Sequence, residues 1–354
     1  MEKNVILSAR DMIVQFQVRG RLLTAIRNIS LDLYEDETLA IVGESGSGKS
    51  VLTKTFTGML ENNGTIPQGE ILFEGENLLN ITNDKGWERI RGKKIAMIFQ
   101  DPMTSLNPIV TIGKQISEVI VKHQMKTVEE AKRLAIELMV KVGIPNAAGR
   151  FDEYPFQYSG GMRQRIVIAI ALACRPKILI CDEPTTALDV TIQAQIIKLI
   201  KDLQKEFKFT TVYITHDLGV VANVADKVAV MYSGQIVEYG TVDDIFYRPK
   251  HPYTWALLSS LPQLGVQGRD LYAITGTPPS LYDEVVGDAF APRNPYAMQI
   301  DFEEEPPFFQ VSQTHRAKTW LLDPRAPKVE PPIEIRGLHE RLMSIVSEGG
   351  NYNG

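Results

Sequence analysis

The segment from Gly43 to Ser50 constrains this chain more than any other, because it fits the phosphate-loop pattern G-x-x-x-x-G-K-[ST] at every fixed position. Its glycines let the backbone turn tightly and direct N–H groups at a polyphosphate. Lys49 is expected to reach the β- and γ-phosphates, and Ser50 to place its hydroxyl on Mg²⁺. We therefore expect a nucleoside triphosphate to bind at Gly43, Ser45, Gly46, Gly48, Lys49, Ser50 and Val51.

The residues on either side of this loop suit the motif. Residues 38–42 predict a buried strand, and residues 51–56 can open a helix. The positive N-terminal end of that helix would face the phosphates. The alternative is a Gly- and Ser-rich turn that matches by chance, and the strand before the loop and the helix after it argue against that alternative.

The composition is that of an ordinary globular chain. Its 354 residues are too many for a typical single core, so one large domain with a smaller one is expected. Hydrophobic residues make up 44% and the net charge is −5, which does not suggest a polyanion-binding protein, so we expect no nucleic-acid partner. The two cysteines, Cys174 and Cys181, are interpreted as small buried side chains in a reducing cytosol.

No segment of the sequence is expected to enter a membrane. The N-terminus lacks a basic-then-apolar signal pattern, and the longest unbroken apolar run, 166–174, has nine residues. That length is about half of what a bilayer-spanning helix needs. Any work at a membrane would therefore depend on partner subunits.

Strands and helices alternate along most of the chain, which predicts an α/β fold, a P-loop NTPase core with a mainly parallel sheet. Apolar residues at helical spacing over 112–142 indicate an inserted α-helical subdomain, placed at about 103–173. Ser233-Gly234 between two apolar runs predicts a two-residue β-hairpin. An antiparallel β subdomain beside the nucleotide site is expected from three segments, 5–17, 25–33 and 69–75.

The composition changes near Arg248, and thirteen of the twenty prolines lie from Pro249 onward. We expect a nucleotide-binding domain over 1–250, followed over 251–354 by a loop-rich C-terminal extension with little regular structure. There is no internal repeat, so the chain is expected to carry one nucleotide-binding unit.

Two carboxylates follow a predicted buried strand in the run Ile178-Leu-Ile-Cys-Asp182-Glu183. Ligands bind at the carboxyl ends of strands in α/β sheets. Asp182 would hold Mg²⁺ directly or through water, and Glu183 would orient the water that attacks the γ-phosphate and accept its proton. A simple turn after a strand is the alternative, and the phosphate loop upstream favours the functional interpretation.

The stretch from Ser159 to Gly161 lies at the start of a helix predicted over 162–173. Ser159 is a natural N-cap, and the glycines allow a close backbone approach to an anion. Plain helix capping is the alternative. The position of the stretch between the phosphate loop and Asp182 favours a second phosphate-contacting element.

In combination, these motifs resemble the ATP-binding cassette (ABC) family over about residues 5–250. The stretch Tyr158-Ser159-Gly160-Gly161-Met162 is similar to the Leu-Ser-Gly-Gly-Gln signature and departs from it at the first and fifth positions, as the peptide-importer branch does. The resemblance implies a head-to-tail dimer. In that dimer Ser159, Gly160 and Gly161 would complete the site of the partner chain.

The resemblance also implies roles for four further residues. Gln100 matches the glutamine loop that senses Mg²⁺, and His216 matches the switch histidine that contacts the γ-phosphate. Asp189, in Ala187-Leu188-Asp189, matches the loop that crosses the dimer interface. Phe16 aligns with the aromatic residue that stacks on adenine, or it belongs simply to the core.

The branch is indicated by segments that resemble the ATPases of oligopeptide and dipeptide importers, 97–108, 159–165, 185–191 and 248–254. The last of these opens a C-terminal extension in which many relatives hold an iron–sulfur cluster through four cysteines. Here the corresponding positions are Asp288, Asn294, Asp301 and Thr319. Without thiolates to bind iron, we expect no iron–sulfur cluster. Packing against the partner ATPase is the hypothesis for the role of the extension.

The resemblance implies a peripheral ATPase subunit on the cytoplasmic face of a bacterial membrane, which energises oligopeptide uptake by ATP-driven dimer closure and hydrolysis-driven reopening. The expected partners are two transmembrane permease subunits, a second ATPase that is a paralogue, and an extracellular peptide-binding lipoprotein reached through the permease. The expected catalytic residues are Lys49, Gln100, Glu183 and His216, and the expected Mg²⁺ ligands are Ser50, Gln100 and Asp182.

Three other functions are compatible with some of these motifs. A cassette ATPase of translation or DNA repair usually has two cassettes or a long coiled-coil insertion, and only about 110 residues separate Lys49 from Ser159. A degenerate regulatory partner is disfavoured by the presence of Lys49, Asp182, Glu183 and His216. An exporter ATPase is disfavoured by the C-terminal extension. The cargo, and whether the partner ATPase is a copy or a paralogue, stay open at this stage.

Overall fold

The computed structural model describes residues 4–99, 101–185, 188–260, 274–332 and 335–336, and at 102 and 103 the backbone alone. The strands in these ranges are β1 (Val5–Val18), β2 (Arg21–Tyr34), β3 (Thr38–Val42), β4 (Gly64–Phe73), β5 (Glu76–Asn77), β6 (Ile95–Ile98), β7 (Ile178–Asp182), β8 (Thr210–Ile214), β9 (Lys227–Tyr232), β10 (Gln235–Thr241), β11 (Phe309–Gln310) and β12 (Arg316–Ala317). The helices are α1 (Lys49–Thr55), α2 (Asp84–Trp87), α3 (Pro102–Ser105), α4 (Ile112–Gln124), α5 (Val128–Lys141), α6 (Gly160–Leu172), α7 (Val190–Phe207), α8 (Leu218–Val224), α9 (Val242–Tyr247) and α10 (Pro252–Ser259).

The larger sheet has the strand order β11-β12-β10-β9-β3-β8-β7-β6. Its members from β9 to β6 are paired in parallel. Every residue of β3, β7 and β8 is buried. For that reason the apolar residues in these strands are consecutive and do not alternate with exposed polar residues. The predicted α/β fold with a mainly parallel sheet is confirmed.

The predicted hairpin is also confirmed. Strands β9 and β10 pair antiparallel, with Tyr232 opposite Gln235. The two residues between them, Ser233 and Gly234, have φ values of 44° and 80°. Positive φ at both central positions is the geometry that matches the twist of the flanking strands in a two-residue hairpin.

The smaller sheet is antiparallel and has the order β2-β1-β4-β5, as predicted for the antiparallel β subdomain. The second strand begins at Arg21, earlier than the predicted residue 25, because Arg21 pairs with Val18 directly across the turn. Apolar side chains of both sheets and of α1 form one core, represented by Leu7, Ile41 and Leu52. This core fixes the start of α1, and with it the phosphate loop, between the two sheets.

The inserted helical subdomain contains α3, α4, α5 and α6. The periodic stretch 112–142 forms two helices, because Met125 adopts a left-handed φ of 54° and Thr127 starts a new helix with a capping box to Glu130. Ile116, Ala135 and Ile166 of α4, α5 and α6 belong to one buried cluster. That cluster attaches the subdomain to the face of the parallel sheet.

The C-terminal extension joins the main core, although its described residues form little regular structure. Its α10 carries Tyr253, whose ring centroid lies 4.6 Å from that of Tyr232 in β9. Phe290 adds an edge contact to Tyr232 at 5.3 Å. Strand β12 pairs with β10, with Ala317 opposite Glu238. The predicted loop-rich extension is confirmed, and the boundary at residue 250 stays a prediction.

None of the described helices combines the length and apolar character that crossing a bilayer requires.

Candidate nucleotide site

One cleft between the two sheets brings most of the predicted site residues together. The predicted residues that line it are Phe16, Ser45, Gly46, Gly48, Lys49, Ser50, Val51, Asp182, Glu183 and His216. They come from β1, the phosphate loop with α1, and the carboxyl ends of β7 and β8. Parallel strands β7 and β8 are neighbours, so their carboxyl ends present Asp182, Glu183 and His216 at one edge of the sheet.

The conformation of the phosphate loop depends on glycine at two positions. A Cβ on Gly43 would lie 2.1 Å from the carbonyl oxygen of Met231, and one on Gly48 would lie 2.7 Å from that of Ala25. Gly48 also has a φ of 97°, which side chains rarely allow. The loop is therefore held close to the backbone of both sheets, and α1 begins within the motif, at Lys49.

Lys49 is buried at the centre of the loop. Its Nζ donates hydrogen bonds to the carbonyl oxygens of Gly43 and Glu44, at 2.9 and 2.8 Å. Burial lowers the pKa of Lys49, while Glu183 and Asp182 act in the opposite direction. The ammonium thus lies between the loop backbone and the acidic edge of the sheet.

Ser50 and Asp182 join the loop to β7. The Ser50 hydroxyl donates to Oδ1 of Asp182 at 3.0 Å. Burial raises the pKa of Asp182, and the hydrogen bond from Ser50 partly offsets that rise. A hydroxyl and a carboxylate this close are a suitable oxygen donor pair for Mg²⁺, which prefers one or two carboxylates together with phosphate oxygens.

Glu183 and His216 meet at the ends of β7 and β8. The Nδ1 of His216 lies 3.1 Å from Oε1 of Glu183. Glu183 has a left-handed φ of 47°, and its N–H donates to the carbonyl of Ile214 at 2.9 Å. Such a backbone conformation is uncommon outside glycine and often occurs at functional sites. It turns the Glu183 carboxylate into the cleft, where its side chain is 19% exposed.

The opposite end of the cleft is apolar. Phe16 is only 7% exposed and is one member of the core, yet it also lines the cleft. Its ring lies against Gly64, where an added Cβ would approach Cε1 to 2.8 Å. The two interpretations of Phe16, as a core residue and as a nucleoside contact, are therefore compatible in position.

The Ser-Gly-Gly stretch lies outside this cleft. Ser159 caps α6 by accepting a hydrogen bond from the N–H of Met162 at 3.4 Å, and Asp189 caps α7 in the same way through Ile192 at 3.0 Å. A Cβ on Gly161 would lie 2.8 Å from Cγ2 of Ile192, so the starts of the two helices are adjacent. Ser159, Gly160 and Asp189 are exposed. Capping is thus present, and the nucleotide role of these residues stays a prediction.

The predicted residue Gln100 lies outside the described residues, as does Ala187 of the dimer-interface loop. Their expected roles therefore stay predictions.

The positions of the expected cluster cysteines are buried and already serve local turns. One side-chain oxygen of each accepts a backbone hydrogen bond, from Phe290 to Asp288, Tyr296 to Asn294, Met298 to Asp301 and Leu321 to Thr319. A set of carboxylate, amide and hydroxyl oxygens does not match the thiolate ligands of an iron–sulfur cluster.

Several residues of the cleft were not anticipated: Val18, Leu23, Ala25, Glu61, Asn63 and Leu281. The residues Val18, Leu23 and Ala25 flank the turn between β1 and β2. Alternating side chains along these strands share the face that carries Phe16, and this alternation is the sequence signal that indicates them. Leu281 comes from the C-terminal extension, and no spacing rule connects it to the phosphate loop. Glu44 and Arg293, which pair beside the cleft, were missed for the same reason.

Comparison with known proteins supports the same interpretation. The family model described as "ABC transporter" matches residues 26–186, and the one described as "Oligopeptide/dipeptide transporter, C-terminal region" matches residues 237–300. Among solved structures, the dimeric ATP-binding cassette MJ0796 bound to ADP and Pi superposes with a TM-score of 0.59 at 26% identity, covering 67% of this chain and 98% of that one. The structure of cbiO1 from Clostridium perfringens gives a TM-score of 0.60 at 29% identity, covering 70% and 92%.

Sequence relatives extend over nearly the whole chain. The oligopeptide transport ATP-binding protein AmiE of Streptococcus pneumoniae is 70% identical over 341 residues, which cover 96% of both proteins. The dipeptide transport ATP-binding protein DppD of Lactococcus lactis is 58% identical, covering 98% of this chain and 99% of the relative. For the oligopeptide transport ATP-binding protein OppD of Bacillus subtilis the identity is 56%, with 96% and 95% covered. The expected family and enzyme class are confirmed: the chain belongs to the ABC transporter family, as an ATPase subunit with the C-terminal region of oligopeptide and dipeptide transporters.

Proposed function

We propose that this chain binds ATP through Lys49, Ser50, Asp182, Glu183 and His216 and hydrolyses it to energise oligopeptide uptake. The observation that carries the proposal is the convergence of these side chains in one cleft of an ABC ATPase fold. A cation, a hydroxyl, two carboxylates and an imidazole at the end of a phosphate loop are the groups that phosphoryl transfer to water requires.

Each side chain has a role that follows from its chemistry. The Lys49 ammonium exchanges its backbone carbonyls for β- and γ-phosphate oxygens. The Glu183 carboxylate orients a water molecule and accepts its proton as the water attacks the γ-phosphate and the bond to ADP breaks. His216 holds that carboxylate in place and contacts the γ-phosphate. Phe16 provides an apolar surface for adenine, where stacking contributes roughly 1–3 kcal/mol in comparable nucleic-acid cases.

Mg²⁺ would be held by Ser50 and Asp182, with Gln100 as a third group. The ion, when bound, neutralises charge that develops on the β- and γ-phosphates. The residues present fit such a hard cation, because their donors are oxygen atoms.

The working unit in this proposal is a head-to-tail dimer with a paralogous ATPase. Ser159, Gly160 and Gly161 would complete the partner's site, and Asp189 would lie at the dimer interface. The exposure of Ser159, Gly160 and Asp189 supports this assignment. ATP binding closes the dimer and hydrolysis reopens it. Since two different ATPases would pair, the two composite sites need not be equivalent.

The proposed partners are two transmembrane permease subunits and, through them, an extracellular peptide-binding lipoprotein. The chain would lie on the cytoplasmic face of the cell membrane as a peripheral subunit. Its relatives are named for oligopeptide and dipeptide transport, which supports peptides as the cargo class. No nucleic-acid partner is proposed, in keeping with the net charge of −5.

The experiment that tests the function is peptide uptake into proteoliposomes that contain the complete transporter. We expect ATP-dependent uptake that Glu183→Gln abolishes and Glu206→Gln, an exposed change on α7, leaves unchanged. Purification from solubilised membranes should also recover permeases and a second ATPase. Recovery of ribosomes or DNA in their place would favour the translation or repair alternative.

The proposal includes the absence of an iron–sulfur cluster. Anaerobically purified protein should contain no stoichiometric iron by elemental analysis. Iron at four atoms per chain would contradict this part of the proposal.

A further inference from the structure

The C-terminal extension contacts the phosphate loop through an ion pair. Arg293 Nη1 lies 2.8 Å from Oε2 of Glu44, and Nη2 lies 3.0 Å from Oε1. The Arg293 side chain is 5% exposed and that of Glu44 is 26% exposed. Two parallel charge-assisted hydrogen bonds between a guanidinium and a carboxylate fix orientation as well as distance.

Glu44 is held at its backbone too, again by the extension. The hydroxyl of Tyr253 in α10 accepts a hydrogen bond from the Glu44 N–H at 2.8 Å. The Glu44 carbonyl in turn accepts from Nζ of Lys49 at 2.8 Å. A direct series of contacts therefore runs from Arg293 through Glu44 to the lysine that is proposed to bind phosphate.

The guanidinium is itself fixed by other groups. Its Nε donates to the carbonyl of Thr275 at 2.9 Å, and Nη1 donates to the hydroxyl of Tyr232 at 3.2 Å. Contacts with the extension and with β9 thus orient the same guanidinium that pairs with Glu44 in the loop.

Leu281 brings the extension to the wall of the cleft. Its carbonyl accepts a hydrogen bond from the N–H of Thr24 at 3.1 Å, which places it beside β2. Its neighbour Tyr282 lies under the guanidinium of Arg21 at 4.7 Å. In the cleft, Leu281 shares the wall with Leu23 and Phe16. An aliphatic side chain in this position suits a base or a ribose and not a polyphosphate.

We propose that the C-terminal extension completes the nucleotide site of its own chain, with Arg293 as a positioning residue for the phosphate loop and Leu281 as a contact for the nucleoside. The inference rests on the nucleotide site proposed above. Arg293 also neutralises the Glu44 carboxylate, which without it would repel a bound triphosphate.

The test is equilibrium binding of two probes, ATP and inorganic tripolyphosphate, to the full chain. Arg293→Met should weaken both by about 10- to 100-fold, because hydrogen bonds to a charged group are lost and a carboxylate beside the loop is left unpaired. Leu281→Ala should lower the affinity for ATP several-fold and leave the affinity for tripolyphosphate unchanged. The matched control is Arg325→Met, since Arg325 forms a similar two-bond pair with Asp323 on the exposed surface of the same extension.

Two further variants separate positioning from general damage to the fold. Adding Glu44→Gln to Arg293→Met should recover part of the lost affinity, because the repelling charge is removed. Arg293→Lys keeps the charge and loses the two-bond geometry, so an intermediate affinity for both probes is expected. Arg293→Lys also replaces Arg293→Met in the test if circular dichroism and thermal unfolding show that Arg293→Met does not fold.

The inference would be overturned if folded Arg293→Met or Arg293→Lys bound both probes with affinities within twofold of wild type. It would also be overturned if the double variant recovered no affinity, or if Leu281→Ala lowered the affinities for ATP and tripolyphosphate equally. Lys49→Ala distinguishes this failure from failure of the site itself. If Lys49→Ala loses its affinity for ATP while the Arg293 variants retain theirs, only the inference about the extension fails. If Lys49→Ala also binds ATP normally, the proposed nucleotide site is wrong.

Discussion

His216 and Glu183 are 3.1 Å apart, Nδ1 to Oε1, although 33 positions separate them in the sequence. The contact joins the carboxyl ends of two neighbouring parallel strands. It forms a hydrogen bond when Nδ1 carries its proton, and that bond fixes the orientation of the carboxylate. The pair therefore has the arrangement of a general base and the group that orients it.

Changing Glu183 to glutamine should retain ATP binding and lower hydrolysis by about 10²–10⁴-fold, the usual effect of removing a general base. The measurement is phosphate release by the complete transporter at saturating ATP, together with ATP affinity. Glu206→Gln is the control, because Glu206 pairs with Lys141 on the surface away from the cleft. Turnover like that of wild type would remove Glu183 from the mechanism.

Changing Lys49 to alanine should abolish measurable ATP affinity, since the buried ammonium is the cation at the centre of the phosphate loop. Isothermal titration of the full chain with ATP measures the effect. Lys201→Ala is a suitable control, because Lys201 is exposed on α7 and donates to the carbonyl of Asn223. An unchanged titration curve for Lys49→Ala would count against the site.

Changing Ser50 to alanine should raise the Mg²⁺ concentration needed for half-maximal hydrolysis by about tenfold or more, a typical loss when a metal site is perturbed. The substitution removes the hydroxyl that donates to Asp182 at 3.0 Å. Hydrolysis is measured over a Mg²⁺ titration at fixed ATP. Ser117→Ala on α4, outside the cleft, provides the comparison, and a Mg²⁺ dependence identical to wild type would argue against Ser50 as a ligand.

Asp288 should make the stability of the fold depend on pH. Burial raises its pKa from 3.8 to about 6, with repulsion from Asp301 and Glu305 adding to the rise and Lys318 opposing it. A raised pKa means that folding favours the protonated form. This contribution to the free energy of unfolding is therefore full below pH 3.8 and is lost as the pH rises through about 6.

The substitution Asp288→Asn should remove that pH dependence. Relative to wild type, the variant should gain up to about 3 kcal/mol in free energy of unfolding between pH 4 and pH 7. Urea unfolding at several pH values measures the difference, with Asp243→Asn, an exposed change on α9, as the control. A difference between variant and wild type that is constant with pH would show that Asp288 does not titrate in this range.

The extent to which the sequence predicted the site follows from where each residue lies. Asp182 and Glu183 come at the end of one buried strand and the phosphate loop follows another, so strand patterns together with motif spacing were sufficient to group them. The place of His216 in the site was implied by the resemblance to the ABC family. The contact between Arg293 and Glu44 joins positions 249 apart, and no periodicity or spacing links a loop-rich segment to a remote loop. The break between α4 and α5 was not predicted from the sequence. Met125 and Thr127 change the backbone conformation there, but they do not interrupt the helical spacing of the apolar residues.

The long separation between Glu44 and Arg293 has a consequence for biosynthesis. A chain emerges from the ribosome N-terminus first, so the phosphate loop appears 249 residues before the arginine that holds it. Contacts at such separation also form late in folding, since a long loop must be closed first. If Arg293 positions the phosphate loop as proposed, a nascent chain completes its nucleotide site only after residue 293 has been synthesised.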